Sequence, residues 1–157
     1  KKINDTFGHI AGDLALKEIG AAIQRNIRLE NDWAARYGGD EFFVSLHNTS
    51  YDVAFQIAER IRQEVERITI SVPEGSFRLS ASLGVHTIKG SKLTADEVIS
   101  LVDRRMYHAK KNGKNRTTGN SPNSSKNETK MKSTCSLGRN LTCGPAIQTF
   151  EVEERKA

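Results

Sequence analysis

The stretch Arg36-Tyr37-Gly38-Gly39-Asp40-Glu41-Phe42-Phe43-Val44 constrains this chain more than any other. Two runs of strand-like composition flank paired glycines. Both glycines can take positive φ without steric cost, so the segment reads as a β-hairpin. Asp40 and Glu41 follow the glycines directly. Adjacent carboxylates repel each other, and the repulsion is relieved by solvation, by a shared proton or by a cation held between them. Local sequence leaves the solvated acidic turn and the cation site as alternatives.

The remaining pattern alternates helix and strand. Residues 1–13, rich in Asn, Asp, Gly and His, read as a loop. Gly12-Asp13 then opens a helix whose apolar stripe is Leu14, Leu16, Ile19, Ala22, Ile23 and Ile27, with Asp13 as a candidate N-cap. Leu29–Asp32 is a turn. Trp33–Tyr37 and Glu41–His47 are the hairpin strands. Thr49 or Ser50 caps a second helix with a Val53, Ile57, Ile61, Val65, Ile68 stripe. Pro73-Glu74-Gly75 turns the chain into a strand region, Phe77–Ile88, with Leu79, Ala81, Leu83 and Val85 on one side. Thr94 and Glu97 have capping-box spacing ahead of a third helix, which carries Val98, Leu101, Val102, Arg105 and Met106 and ends at Asn112-Gly113.

Beyond residue 116 the composition shifts. Apolar residues make up 36% of the chain, low for one packed throughout, and 117–157 accounts for much of the deficit. This tail is polar, low in complexity and without clear period, so disorder is expected there. Leu137, Leu141, Ile147, Phe150 and Val152 are too few for a core. Cys135 and Cys143 both lie in the tail at no common zinc spacing. No apolar run reaches membrane-spanning length. The net charge of +5 suits a phosphate-bearing ligand. The basic stretch Arg104–Arg116 lacks the interleaved aromatics of a nucleic-acid surface, so no nucleic-acid partner is expected.

Four blocks resemble the GGDEF family of diguanylate cyclases, in the family's order and spacing. Gly38-Gly39-Asp40-Glu41-Phe42 is the signature itself. Lys1 to Asp13, reading KKINDTFGHIAGD, is similar to the family's F-K-x-I-N-D-x-x-G-H-x-x-G-D block. Ser80-Ala81-Ser82-Leu83-Gly84-Val85 resembles its S-I-G-V strand. Asp103 to Asn115 resembles its closing A-D-x-A-x-Y-x-A-K-x-x-G-[RK]-N block. The resemblance covers residues 1–116 as one domain and leaves out the tail 117–157. It implies an α/β, ferredoxin-like nucleotidyl-cyclase-type sandwich with a mixed, mainly antiparallel sheet. The chain does not begin with Met and opens inside the first block, so a fragment without the family's first strand is expected, leaving an unpaired edge or an unfilled slot in the sheet.

The resemblance also implies the chemistry: two GTP molecules condense into cyclic di-GMP and two pyrophosphates. Asn4 and Asp13 stand at the guanine-reading positions, where a carboxylate and an amide complement the base edge. His9 stands at a third substrate contact. Asp40 matches the Mg²⁺ ligand and base for the 3′-hydroxyl, and Glu41 a supporting ligand for Mg²⁺ or Mn²⁺. Gly38 and Gly39 admit close approach of the backbone to the nucleotide. Lys1 matches a lysine that stabilises the transition state. Lys110 and Lys114 match the pair that grips the terminal phosphates, although basic residues at a helix C-terminus also complement its dipole. Lys114 replaces the more usual Arg, keeping charge and losing bidentate geometry. In many members an R-x-x-D pair binds product and inhibits. Here Asp32 stands at the acidic position, Leu29 occupies the basic one and Arg28 lies one residue away, so this inhibition is expected to be lost. Further expectations are a homodimer, an upstream sensory domain and a cytoplasmic location, with membrane anchoring upstream open. The alternative is a regulatory domain that binds GTP without turnover, and the fragment itself could be inactive.

Overall fold

The computed structural model describes residues 2–88, 93–119 and, as backbone, 146–155. In chain order the elements are α1 Lys2–Asn26, β1 Trp33–Gly38, β2 Glu41–Leu46, α2 Tyr51–Arg67, β3 Thr69–Val72, β4 Gly75–Thr87, α3 Ala95–Lys111, β5 Thr117–Gly119 and β6 Ala146–Arg155. The strands form one sheet ordered β1-β2-β6-β4-β3, with β5 also on β4. Among the described strands only the β4–β5 pairing is parallel. This is the mixed, mainly antiparallel α/β sandwich that the motifs imply.

Side-chain alternation in the strands sorts the helices to two faces. Phe42, Val44 and Leu46 of β2 and Phe77, Leu79, Ala81, Leu83 and Val85 of β4 pack with α1 and α2. Phe43 points the other way, against Val98 and Val102 of α3. β2 is therefore buried on both faces and needs a nearly continuous apolar run, which Phe42-Phe43-Val44-Ser45-Leu46 supplies. On the α3 side, β4 carries small residues. A Cβ at Gly84 would overlap the Val102 carbonyl oxygen and lie 2.6 Å from the Met106 nitrogen. The glycine of the Ser80–Val85 block is thus what lets helix and strand backbones meet.

Several expected elements stand as read. Ser50 caps α2 through the Val53 N–H, and Thr94 and Glu97 form the capping box of α3. Four readings are corrected. First, 2–13 is not a loop. α1 starts at Lys2 and runs through a kink at Gly8, where φ is +82° and ψ 166°. Long-range packing overrides the loop-like composition, because Phe7 stacks on Phe77 with ring centroids 4.7 Å apart. Asp13 consequently sits inside the helix and caps nothing. Second, the inward stripe of α1 is Ala11, Ala15, Ile19, Ala22 and Ile23, whereas Leu14 is exposed. Small residues on that face let α1 approach the sheet and α2 closely. Third, Ile68 is not helical. It ends α2 with extended φ/ψ, and 69–72 forms β3, a hairpin partner of β4. Fourth, no slot stands empty between β2 and β4. β6, from the tail expected to be disordered, lies there antiparallel to both, because the unpaired N–H and C=O groups of both strands offer a ladder to any extended segment. The rest of the tail and Lys1 lie outside the described residues.

Candidate active site

The β1–β2 hairpin presents the acidic turn. Gly38 pairs with Glu41, with a register irregularity between Arg36 and Gly38, and Gly39 has φ +42°. The Arg36 guanidinium forks onto the Gly39 carbonyl, donating through Nε at 2.8 Å and Nη2 at 2.6 Å. This side chain pins the turn across its own mouth. Asp40 and Glu41 are half-buried at the tip. They offer hard oxygens from two successive residues, the donor type Mg²⁺ takes when phosphate oxygens and waters complete its shell. Among the described residues no third His, Cys, Asp or Glu joins them in a metal-holding group. The donor set fits a cation shared with a bound phosphate better than an all-protein cage.

The second group lies on α1. The Asn4 carboxamide rests directly on Gly12: a Cβ there would overlap Asn4 Oδ1 and lie 3.0 Å from Cγ and 3.5 Å from Nδ2. The Gly8 kink makes this possible by folding the first turns of α1 back so that residue 4 meets residue 12. Asn4 is thereby set against Gly12, the residue next to Asp13 in the helix; Asn4 is half-buried and Asp13 exposed. His9 is exposed just past the kink. The third group closes α3. Lys110 is half-buried in its last turn, and Lys114, at φ +58°, donates its backbone N–H to Ala109 O at 3.0 Å. Both lysines therefore gather at the C-terminal end of α3, where the helix dipole favours them.

Sequence reasoning missed three supports. Asn115, last residue of the closing block, donates to Glu66 at 2.6 Å and accepts from Arg62 at 3.0 Å, tying the exit of α3 to α2. The hold of Arg36 on the Gly39 carbonyl is the second, at a position whose sequence context says only strand. The largest omission is at Asp32, whose side chain is fully buried. Its carboxylate accepts from Arg28 Nε at 3.0 Å, Arg28 Nη2 at 2.9 Å, the Arg28 N–H at 2.9 Å and the His47 N–H at 2.9 Å. Arg28 Nη2 also reaches His47 O and Thr49 Oγ1. Burial works against the Asp32 charge, but the Arg28 guanidinium and the two backbone N–H groups outweigh it and hold the carboxyl below its usual range. The same hydrogen bonds raise the Arg28 pKa against its partial desolvation. The i,i+4 spacing could have flagged this pair, even outside a helix.

A groove of about 330 Å³ lined by Leu14, Glu18, Ile68, Thr69, Ile70 and Ser71 lies between α1 and β3, and none of the residues above lines it.

Sheet order, hairpin and the acid-bearing turn define a nucleotidyl-cyclase-type α/β domain. The family model "Diguanylate cyclase, GGDEF domain" matches residues 1–116. Diguanylate cyclase A of Treponema denticola is 42% identical over 118 residues, which is 75% of this chain and 32% of the relative. The response regulator PleD of Caulobacter vibrioides is 39% identical over 121 residues, 76% of this chain and 26% of the relative. Diguanylate cyclase SiaD of Pseudomonas aeruginosa, crystallised with its activator SiaC, has a TM-score of 0.68 at 31% identity, over 76% of this chain and 45% of that one. The coiled-coil and GGDEF domain of DgcB from Caulobacter crescentus, solved with c-di-GMP, has a TM-score of 0.62 at 25% identity, over 76% of this chain and 63% of that one. This chain belongs to the GGDEF domain family of diguanylate cyclases. It spans about a quarter to a third of the length of those two curated relatives.

Proposed function

We propose that this domain is the catalytic unit of a diguanylate cyclase, condensing two GTP into cyclic di-GMP with release of two pyrophosphates. The observation that carries the reading is the intact Asp40–Glu41 pair at a pinned hairpin tip. The same intact pair disfavours the alternative of a GTP-binding regulatory domain without turnover. In the reaction each 3′-oxygen bonds to the α-phosphorus of the other nucleotide while the bond from that phosphorus to the pyrophosphate oxygen breaks. Asp40 accepts the 3′-hydroxyl proton. Asn4 and Asp13 read the guanine edge, with His9 beside them. Lys110, Lys114 and Lys1 face the charge on the phosphates. Gly38 and Gly39 leave room for the nucleotide. Asp40 and Glu41 would hold Mg²⁺ or Mn²⁺, which when bound stabilises charge on the entering and leaving oxygens.

Because one domain presents one GTP, catalysis calls for a homodimer, and a sensory domain upstream would set the pairing. GTP as substrate places the domain in the cytoplasm. Among the described residues no helix is long and apolar enough to cross a membrane. Product inhibition at the position next to the hairpin is absent in this reading: Leu29 is not basic, and Asp32 is buried and fully engaged by Arg28 and His47.

Calorimetric titration tests the nucleotide reading. With Mg²⁺ present, GTP binds at least about tenfold tighter than ATP, and Asp13→Asn erases most of the difference, since a carboxylate paired with the guanine N–H donors has no counterpart on adenine. Equal affinity for GTP and ATP would overturn the assignment of Asn4 and Asp13.

A further inference from the structure

The exit of α3 carries three consecutive residues with positive φ: Gly113 at +111°, Lys114 at +58° and Asn115 at +45°. Part of this is an ordinary helix end. The Lys114 N–H donates to Ala109 O at 3.0 Å and the Gly113 N–H to Lys110 O at 3.4 Å, the paired bonds of a Schellman motif. That motif asks for a left-handed residue once, and Gly113 supplies it. Lys114 and Asn115 continue in the same region, where glycine sits freely, asparagine is tolerated and lysine is strained. Such departures persist only where the surroundings over-determine them.

The surroundings here come from α2. The Asn115 carboxamide donates from Nδ2 to Glu66 Oε1 at 2.6 Å and accepts at Oδ1 from Arg62 Nη1 at 3.0 Å. Arg62 Nη1 also donates to Glu66 Oε2 at 2.9 Å, which closes a triangle. The Arg62 side chain is only 13% exposed, and Glu59 accepts from its Nε. A cation so far from water keeps its acceptors, because losing one leaves charge uncompensated. The triangle also has a parity. Arg62 can only donate, so residues 66 and 115 must each turn an oxygen to it. The third side then needs one donor and one acceptor, which Asn115 and Glu66 provide. On the far side, Arg116 Nε donates to Lys114 O at 3.1 Å, and Arg116 O accepts from the Leu83 N–H of β4 at 2.9 Å.

We propose that Arg62 and Glu66 act through the Asn115 carboxamide as a positioning clamp on Lys114, which holds its backbone left-handed and aims its ammonium at the terminal phosphates of the nucleotide. A right-handed Lys114 would point its Cα–Cβ bond elsewhere and carry Nζ, at the end of a four-carbon stem, away from that target. Asn115, Arg62 and Glu66 touch no substrate in this scheme. Only the role of the ammonium rests on the cyclase reading; the hold on the backbone does not.

The parity of the triangle supplies the test, on the full chain. Glu66→Gln sets two donors against each other, and Asn115→Asp sets two acceptors. Together they exchange donor for acceptor and restore every contact at the parent net charge. Either single change should lower hydrogen-exchange protection of the Lys114 N–H by about tenfold or more while the middle of α3 stays protected, and the pair should restore it. In calorimetry with Mg²⁺, either single change should weaken GTP by about tenfold, leave GMP within about twofold, and be rescued by the pair. The two singles change the charge in opposite senses, so an effect of charge alone would tighten GTP in one and weaken it in the other; that result overturns the proposal. Unchanged protection at Lys114, or equal weakening of GTP and GMP, also overturns it. Lys114→Gly removes the ammonium and keeps positive φ, and on that background Glu66→Gln should weaken GTP no further; a full additional loss overturns the proposal. GTP binding by Lys114→Gly at the parent affinity would overturn the phosphate role of Lys114, and with it that part of the cyclase reading, while the exchange data alone would still decide the clamp.

Discussion

Substituting Gly12 by Ala separates a stability effect from a binding effect at one atom. Within a helix, Gly→Ala is favourable by about 0.5–1 kcal/mol, because glycine loses more backbone entropy on folding. Gly20 in the same helix shows that effect by itself. A Cβ there meets nothing within 4 Å, so Gly20→Ala should raise Tm by roughly 1–4 °C in a chain of this size. At Gly12 the new methyl group occupies the place of the Asn4 carboxamide oxygen. Asn4 is the end of a flexible side chain and can rotate away, at an off-rotamer cost of about 0.5–1.5 kcal/mol. The two terms nearly cancel, and Gly12→Ala should leave Tm within a few degrees of the parent. The displaced amide can no longer bond the base. Losing a hydrogen bond to a buried ligand group costs about 1–3 kcal/mol, or roughly 5- to 150-fold in Kd. Thermal unfolding and GTP titration of the parent, Gly12→Ala and Gly20→Ala test this together. GTP binding by Gly12→Ala at the parent affinity would refute the assignment of the Asn4–Gly12 contact to the base site.

Three further outcomes follow from the buried groups. Arg28→Ala leaves the Asp32 carboxylate buried with only two backbone donors, and should destabilise the fold by about 3 kcal/mol, seen as a lower urea midpoint at unchanged slope. Cyclic di-GMP should neither bind beside the hairpin nor inhibit; product binding that survives Asp40→Ala but is lost on Asp32→Ala would contradict this. Acid should weaken the fold in two windows. Burial, helped by the charge of Arg105, lowers the His86 pKa to about 4. The unfolded chain therefore binds a proton first, and stability falls as pH drops from about 6.5 toward 4, by about 1 kcal/mol after allowing for partial solvent access. Asp32 is depressed in the fold, so its stabilisation is complete above the ordinary carboxylate pKa and is lost as pH falls through its lowered value. His86→Gln should remove the upper window and leave the lower one, as read by denaturant titration across pH.

What was legible in the sequence was local. Paired glycines between strand-forming runs fix a hairpin within nine residues, and Thr94 with Glu97 fixes a helix start within four, so both are found where composition places them. The alternation of helices and strands pointed to an α/β sandwich, and the mixed, mainly antiparallel sheet was what the resemblance of the four blocks implied. The misreadings involve strand and ring partners that the local pattern does not announce. Asn4 to Gly12 looks like loop until Phe77 supplies the ring on which Phe7 stacks. Ile68 continues the apolar period of α2, but β4 offers a hairpin partner just beyond it. Ala146–Arg155 has no periodicity of its own to betray it, since its place is set by the two strands it pairs with, β2 and β4. At the site, the residue types were readable and their supports were not. Both supports are short-range, Arg36 to Gly39 O and Arg28 to Asp32, and only the second has a spacing that could have flagged it.

The most direct test of the central claim is product formation from GTP, followed by chromatography, with Mg²⁺ present and at protein concentrations high enough to pair two domains. The account predicts cyclic di-GMP and pyrophosphate in a one-to-two ratio from the parent chain, and none from Asp40→Ala at equal fold stability. Product from Asp40→Ala at the parent rate would contradict the assignment of that carboxylate. Tight GTP binding by the parent chain with no product at any concentration would contradict catalysis itself.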